Sequence, residues 1–377
     1  MKITNIECYP VWGGGRNFFF VVVDTDAGIS GVGEGGITGR ELAVQGVVEH
    51  FKSFLIGQDA RRIEHLWQKM YRGGFFPADK IACSAISAID IALWDIKGKA
   101  LGVPVYELLG GLCRDGVPCY PHCGGRTVED LVANAQRHVE EGWKFVRWGL
   151  GQHGEVLEPS VVIPKAITEF EALRAALGDQ VELCFDIHTR LDQPDTIRLC
   201  RAVEQYHPFF MEDPIRSESM QSLRVVREHV STPIAVGEQF AGKWEFRQVI
   251  EEELTDYARI DLCIVGGLSE AKKIAGWAET HYIKLATHNP LGPVSSAACL
   301  HLNLACNNVG VQEQPRRPGT VLTDVVPVQI EWKDGYLLPP TRPGLGVEFD
   351  REAAKAHPFQ MAELPQLRRA DGSVTNW

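Results

Sequence analysis

Between residues 145 and 313, short apolar runs end in acidic or histidine residues at a nearly constant interval. KFVRW, VELCFDIH, FFMEDP, IAVGEQF, ARIDLCI, KLATHNP and VGVQEQ each combine strand-forming residues with a polar end. Asp186, Glu212 and Glu238 are 26 residues apart, and His288 falls 27 residues after Asp261 and 25 before Glu313. That interval is the length of one strand plus one helix. Amphipathic helical stretches fill the gaps, so the pattern predicts successive βα units closing into a modified (β/α)-barrel of the TIM type. In such a barrel the C-terminal ends of all strands share one rim, and residues far apart in sequence meet there. A doubly wound open sheet is the rival, but it needs a glycine-rich phosphate loop after an early strand, and the chain offers no convincing one.

The segment before the barrel has a different texture. MKITNIECYPVW alternates like a strand, and NFFFVVVDT and GISGVGEGG form a predicted hairpin around Asp26, Ala27 and Gly28. The stretch Ala85 to Leu101 repeats apolar residues at helical spacing and stops at Gly102 and Pro104. On it, Asp90, Trp94, Asp95 and Lys97 are read as packing and solvating residues. Past Pro339 the barrel pattern gives way to PPTRPGLGVEFD and a polar tail. The expected organisation is an α+β capping domain at residues 1–117, a barrel at 118–344, and a segment at 345–377 that returns to the capping domain.

A length of 377 residues suits a barrel with an appended domain. No apolar run is long enough to span a membrane, and the first residues lack a signal-peptide pattern, so a cytoplasmic protein without a membrane partner is expected. The 10 cysteines form no repeated C-x-x-C pair, with Cys119 and Cys123 the only close couple, which argues against structural zinc and a disulfide framework. A formal charge of −11 disfavours a nucleic-acid surface, and an anionic small molecule would need a local positive centre.

A bound cation supplies such a centre. Asp186, Glu212 and Glu238 stand at consecutive strand ends, where three carboxylates without counter-charge would repel one another strongly. Their hard oxygen ligands favour Mg²⁺. Strand alternation places His188 on the same face as Asp186, beside the metal. Asp261 and His288 fit a dyad in which the carboxylate orients the imidazole and raises its basicity. Glu313 is placed to bond either this dyad or a substrate carboxylate. Arg147 is expected opposite the dyad, binding or polarising substrate, since a guanidinium is a poor base. Lys144, three residues earlier, is out of phase with it. The loops 13–17 and 72–80 are glycine-punctuated and suit either exposed turns or closure over the mouth.

Taken together, these motifs resemble the mandelate racemase-like branch of the enolase superfamily over essentially the whole chain. SAIDIALWDIKGKALGVPVYELLGG is similar to its capping-domain signature, and FDIHTR, MEDP, VGEQ, RIDLCIVGG, THNPLGPVSSAACLH, QEQ and PGLGVEFD follow its order. Within the branch, Asp186-Ile187-His188 and the ending DGSVTNW resemble galactonate and mannonate dehydratases. The resemblance implies that Asp186, Glu212 and Glu238 hold Mg²⁺ and that His288 with Asp261 removes the proton next to a carboxylate. It further implies that His188 protonates the departing 3-hydroxyl and that an aldonate becomes a 2-keto-3-deoxy acid through an enediolate. Homo-oligomerisation is common in this family. Arg147 instead resembles the mannonate pattern, in which it works with a tyrosine on an inserted loop. Here the following segment, WGLGQHGEVLEP, is short and has no tyrosine, although His153 lies in it. Racemases of the branch typically carry Lys-x-Lys where this chain has Arg147-Trp148-Gly149, which disfavours two-face proton exchange. Epimerisation of a hydroxy acid and non-catalytic binding of an acid sugar remain the alternatives.

Overall fold

The computed structural model describes residues 1–151 and 154–376. Strands β1 (Ile3–Trp12), β2 (Asn17–Thr25) and β3 (Ser30–Gly35) form an antiparallel sheet in that order. The sequence of β2 does not alternate in polarity because both of its faces are covered. Phe18, Phe20 and Val22 enter a core continuous with the barrel, whereas Phe19, Val21 and Val23 enter one capped by helices.

Those helices are α1 (Glu41–Leu55), α2 (Ile63–Arg72) and α3 (Lys80–Leu101), with a short α4 (Val105–Leu108) after them. Helix α3 stops at Leu101, where Gly102 takes φ 72°, but starts five residues earlier than the apolar period predicts. The reason is Asp79, whose carboxylate caps the helix by accepting from Ala82 N at 2.8 Å. α3 lies directly on β3, and a Cβ on Gly33 would stand 1.8 Å from the Ala88 carbonyl oxygen. The alternating glycines of SGVGEG therefore admit the helix backbone.

Eight parallel strands make the barrel: β4 (Val117–Tyr120), β5 (Phe145–Gly149), β6 (Glu182–Asp186), β7 (Phe210–Glu212), β8 (Ile234–Val236), β9 (Tyr257–Ala258), β10 (Lys284–Thr287) and β11 (Val309–Glu313). Closure comes from β11 pairing with β4, together with a parallel bridge between His122 and Arg147. Helices α5 (Val128–Glu140), α6 (Pro159–Leu177), α7 (Gln193–Val203), α8 (Met220–His229), α9 (Lys243–Glu251), α10 (Gly267–Thr280) and α11 (Pro293–Leu304) follow the first seven strands. After β11 the chain instead forms β12 (Trp332–Lys333) and β13 (Tyr336–Leu337), and β13 runs antiparallel to β4. That substitution for a helix is the modification of the barrel.

Tyr120, Cys184, Phe210, Ala235, Tyr257, Ala286 and Val311 fill the barrel interior. The run expected as strand ARIDLCI is mostly not one. β9 ends at Ala258, and Asp261 joins the neighbouring chain only through a single bridge to His288.

Polar residues of α3 fasten the two units together. The Asp90 carboxylate accepts from Ser269 N at 3.0 Å and from Ser269 Oγ at 2.6 Å, at the first turn of α10. Asp95 accepts from Val32 N at 3.0 Å and from Leu345 N at 2.9 Å. Beyond α12 (Arg351–Lys355), Gln360 exchanges hydrogen bonds with Asn17 of β2. The last stretch then leaves the capping sheet, because Arg368 N donates to Glu155 O and Leu157 N to Arg368 O on the β5–α6 connection. Among the described residues no helix is long and apolar enough to cross a membrane.

Candidate active site

A cavity of about 720 Å³ opens at the C-terminal ends of the barrel strands. Its wall includes Arg147, Asp186, His188, Glu238, Asp261, His288 and Glu313, drawn from separate strand ends. The capping unit contributes Gly15, Arg16, Gly36, Ile37, Thr38 and Lys80, and Leu364 of the tail also lines it. Both glycine-punctuated loops thus reach the mouth, the second through Lys80 alone, while Phe75 and Phe76 remain exposed at 95% and 81%.

Register explains the acid cluster. Asp186 pairs with Glu212 across β6 and β7, and Gly149 pairs with Asp186 across β5 and β6. Asp186, Glu212 and the adjacent Asp213 are buried. Arg147 donates to Asp186 and lies 3.7 Å from Glu212. Arg259, buried completely, has its guanidinium 2.5 Å from Glu212 and 2.6 Å from Glu313. Burial works against ionisation of Asp186, but Arg147, His188, Arg190 and Arg259 outweigh it and lower its pKa.

Positive charge does not balance the whole cluster. Neither carboxylate oxygen of Glu212 accepts a hydrogen bond, since Arg259 stands off the N–H directions, and Asp213 Oδ2 is likewise buried without a donor. Burial, reinforced by the surrounding carboxylates, holds the pKa values of Asp213 and Glu238 well above the usual range. Among the described residues no three of these side chains are gathered tightly enough to hold a metal ion.

On the other side of the mouth, His288 Nδ1 is 2.7 Å from Asp261 Oδ2. Asp261 also accepts from Cys263 N at 2.7 Å, which fixes the carboxylate that orients the ring. Nε2 of His288 lies 3.2 Å from Glu238 and 3.8 Å from Glu313. Burial disfavours the imidazolium, yet Glu238, Glu313 and Asp261 together raise its pKa to about 9. Glu313 accepts from Asn289 N at 2.9 Å and is 2.6 Å from His122 Nε2. Its pKa is low despite burial because Arg259, His288 and His122 surround it.

His188 reaches the cavity by a route different from strand alternation. β6 ends at Asp186, and His188 and Thr189 take left-handed φ values of 55° and 57°, with His188 N donating to Asp186 Oδ1 at 2.6 Å. Arg147, expected to bind or polarise substrate, lines the cavity and is at the same time engaged with Asp186 and Glu212. Lys144 precedes β5, is exposed and does not line the cavity. His153 lies outside the described residues. Sequence reasoning missed Arg259, although its position two residues before Asp261 was a signal of a shared face. It also missed His122, which follows a strand too short to show a period, and Asp213, hidden beside Glu212 in MEDP.

Comparison with known proteins gives concordant matches. Residues 14–110 match the family described as mandelate racemase / muconate lactonizing enzyme, N-terminal domain, and residues 130–354 match the enolase C-terminal domain-like family. A D-mannonate dehydratase of Caulobacter vibrioides is 40% identical over 96% of both chains. A D-galactonate dehydratase of Ralstonia nicotianae is 38% identical over 100% of both. The crystal structure of an enolase from Pantoea ananatis with bound D-gluconate and magnesium superposes with a TM-score of 0.94, at 33% identity over 100% of this chain and 99% of that one.

Proposed function

The chain belongs to the enolase superfamily, in its mandelate racemase-like branch, and we propose that it is a magnesium-dependent acid-sugar dehydratase acting on an aldonate. The product is a 2-keto-3-deoxy sugar acid. The observation that carries this reading is the dyad: an imidazole fixed by a buried carboxylate at 2.7 Å, facing a cavity that a second histidine also lines. One base and one acid suffice for elimination of water.

Asp186, Glu212 and Glu238 would hold the Mg²⁺. The donor set fits, since it is all oxygen and Glu212 offers two buried oxygens without hydrogen-bond donors. Excess negative charge around Asp213 and Glu238 supports the same reading. When bound, the ion supplies positive charge against the negative charge that develops on the substrate carboxylate.

The side chains supply the proton transfers. His288, whose ring lines the cavity, would take the α-proton on Nε2, while Asp261 keeps Nδ1 oriented. His188 gives a proton to the β-hydroxyl, which leaves as water, and the resulting enol tautomerises to the ketone. Arg147 and Glu313 are assigned to substrate binding. Arg147 stays charged because Asp186 and Glu212 overcome its desolvation, so it does not serve as a second base, which weighs against epimerisation.

The deciding experiment incubates the purified protein and Mg²⁺ with a stereochemically complete set of aldonic and aldaric acids and detects 2-keto-3-deoxy products. Turnover of one or more aldonates is expected. Epimerised acid with its skeleton intact, or binding without any product, overturns the reading.

A further inference from the structure

A second cavity, of about 530 Å³, adjoins the first and shares Arg16, His122, Pro290 and Leu291 with it. Its charge is opposite to that of the molecule. Arg16, Arg137, Arg316 and Arg317 line it, against a single carboxylate among the described residues, Glu141. That carboxylate is 3.6 Å from His138 Nδ1, and Arg137, Arg316 and Arg317 make no ion pair among the described residues.

The wall also holds an indole. Trp143 lines the cavity at 2% exposure, and its indole Nε1 is buried without an acceptor. Trp143 packs on Trp332 at 4.7 Å, and the Arg317 guanidinium lies 4.9 Å from the Trp332 ring. Stacking of this kind holds an arginine in place while leaving its N–H groups available. In a chain of net charge −11, four guanidiniums around one concavity form a local field that favours an oxyanion, whose geometry matches the arginine fork.

We propose that this second cavity is an anion site for one small oxyanion group, phosphate or carboxylate, beside the acid-sugar cavity. Two sources carry that chemistry: a free anion, and the far acid group of a substrate with two carboxylates. Arg16 belongs to both cavities and donates to the Pro290 carbonyl at 2.9 Å, two residues after His288, so an occupant is in contact with the loop that carries the dyad.

Calorimetric titration of the full chain in Mg²⁺ with inorganic phosphate, at fixed ionic strength, tests the free-anion source. Saturable binding is expected, weakened about tenfold by Arg137→Gln and by Arg316→Gln. Both variants should keep the parent unfolding temperature and the parent turnover of aldonates, because neither arginine lines the first cavity. The second arm compares KM for aldonates and aldarates. A rise confined to the aldarates in either variant identifies the substrate's own acid group as the occupant. Phosphate binding and aldarate KM that both match the parent in both variants overturn the proposal. If no acid sugar is turned over, the proposed reaction fails while the phosphate titration still decides this site.

Discussion

At the scale of single residues, the site is a contest between buried charges. Asp186, Glu212, Glu238 and Glu313 are compensated by Arg147, Arg190, Arg259 and histidines, and both oxygens of Glu212 still lack a hydrogen-bond donor. Arg259 is the counter-charge that Glu212 and Glu313 share. Replacing Arg259 with Met should destabilise the fold by about 3–5 kcal/mol, read by urea unfolding, because two buried carboxylates lose their shared counter-charge. A variant as stable as the parent would show that the acids are neutral instead. His288→Asn should preserve the fold and lower turnover on the order of 10²–10⁴-fold, with loss of α-proton exchange in deuterated water. Exchange at the parent rate in that variant would assign the base elsewhere. The residues of this contest that stand at strand ends with a regular interval were legible in the sequence. Arg259, His122 and Asp213 were not, because an arginine or aspartate inside an apolar run shows its partners only once the neighbouring strands are in register.

At the scale of elements, the loop after β10 is held from the capping sheet. Glu34, fully buried on β3, accepts from Gly292 N at 2.7 Å and Ser295 N at 2.8 Å at the start of α11. A carboxylate at a helix N-terminus meets free N–H groups and the positive end of the dipole. Burial is nonetheless the largest influence on it and, against those two bonds and Arg16, raises its pKa to about 7. In the unfolded chain the same group titrates near 4.5. Between these values the folded state holds the proton that the unfolded state has released, so this group lowers stability as pH rises from 4.5 towards 7. Glu34→Gln removes that slope, and the variant should gain on the parent between pH 5 and pH 8 in denaturant titrations. A constant difference across that range would mean Glu34 is ionised throughout. The element boundaries that the sequence misplaced have local causes. α3 begins at its Asp79 cap, and β9 ends early where the chain turns to present Asp261.

At the scale of the whole molecule, the active cavity exists only between units. Barrel strand ends, the loop carrying Arg16, Lys80 at the head of α3 and Leu364 of the tail all border it. Binding of Mg²⁺ to the native protein and not to the unfolded chain should raise stability by about 2.7 kcal/mol at one hundred times its dissociation constant. Thermal unfolding with and without chelator measures this, and Glu212→Gln should diminish the effect. An unfolding temperature indifferent to Mg²⁺ would count against the three-carboxylate site. By itself the sequence determined the repeating βα unit, and hence the barrel and the rim on which its acids and histidines gather, because one strand and one helix need a fixed length of chain. Only the tertiary structure decided which charges pair. Arg147 turns to Asp186, Arg259 bridges Glu212 and Glu313, and His188 enters through a left-handed turn, since each depends on distances between segments that the chain order does not contain.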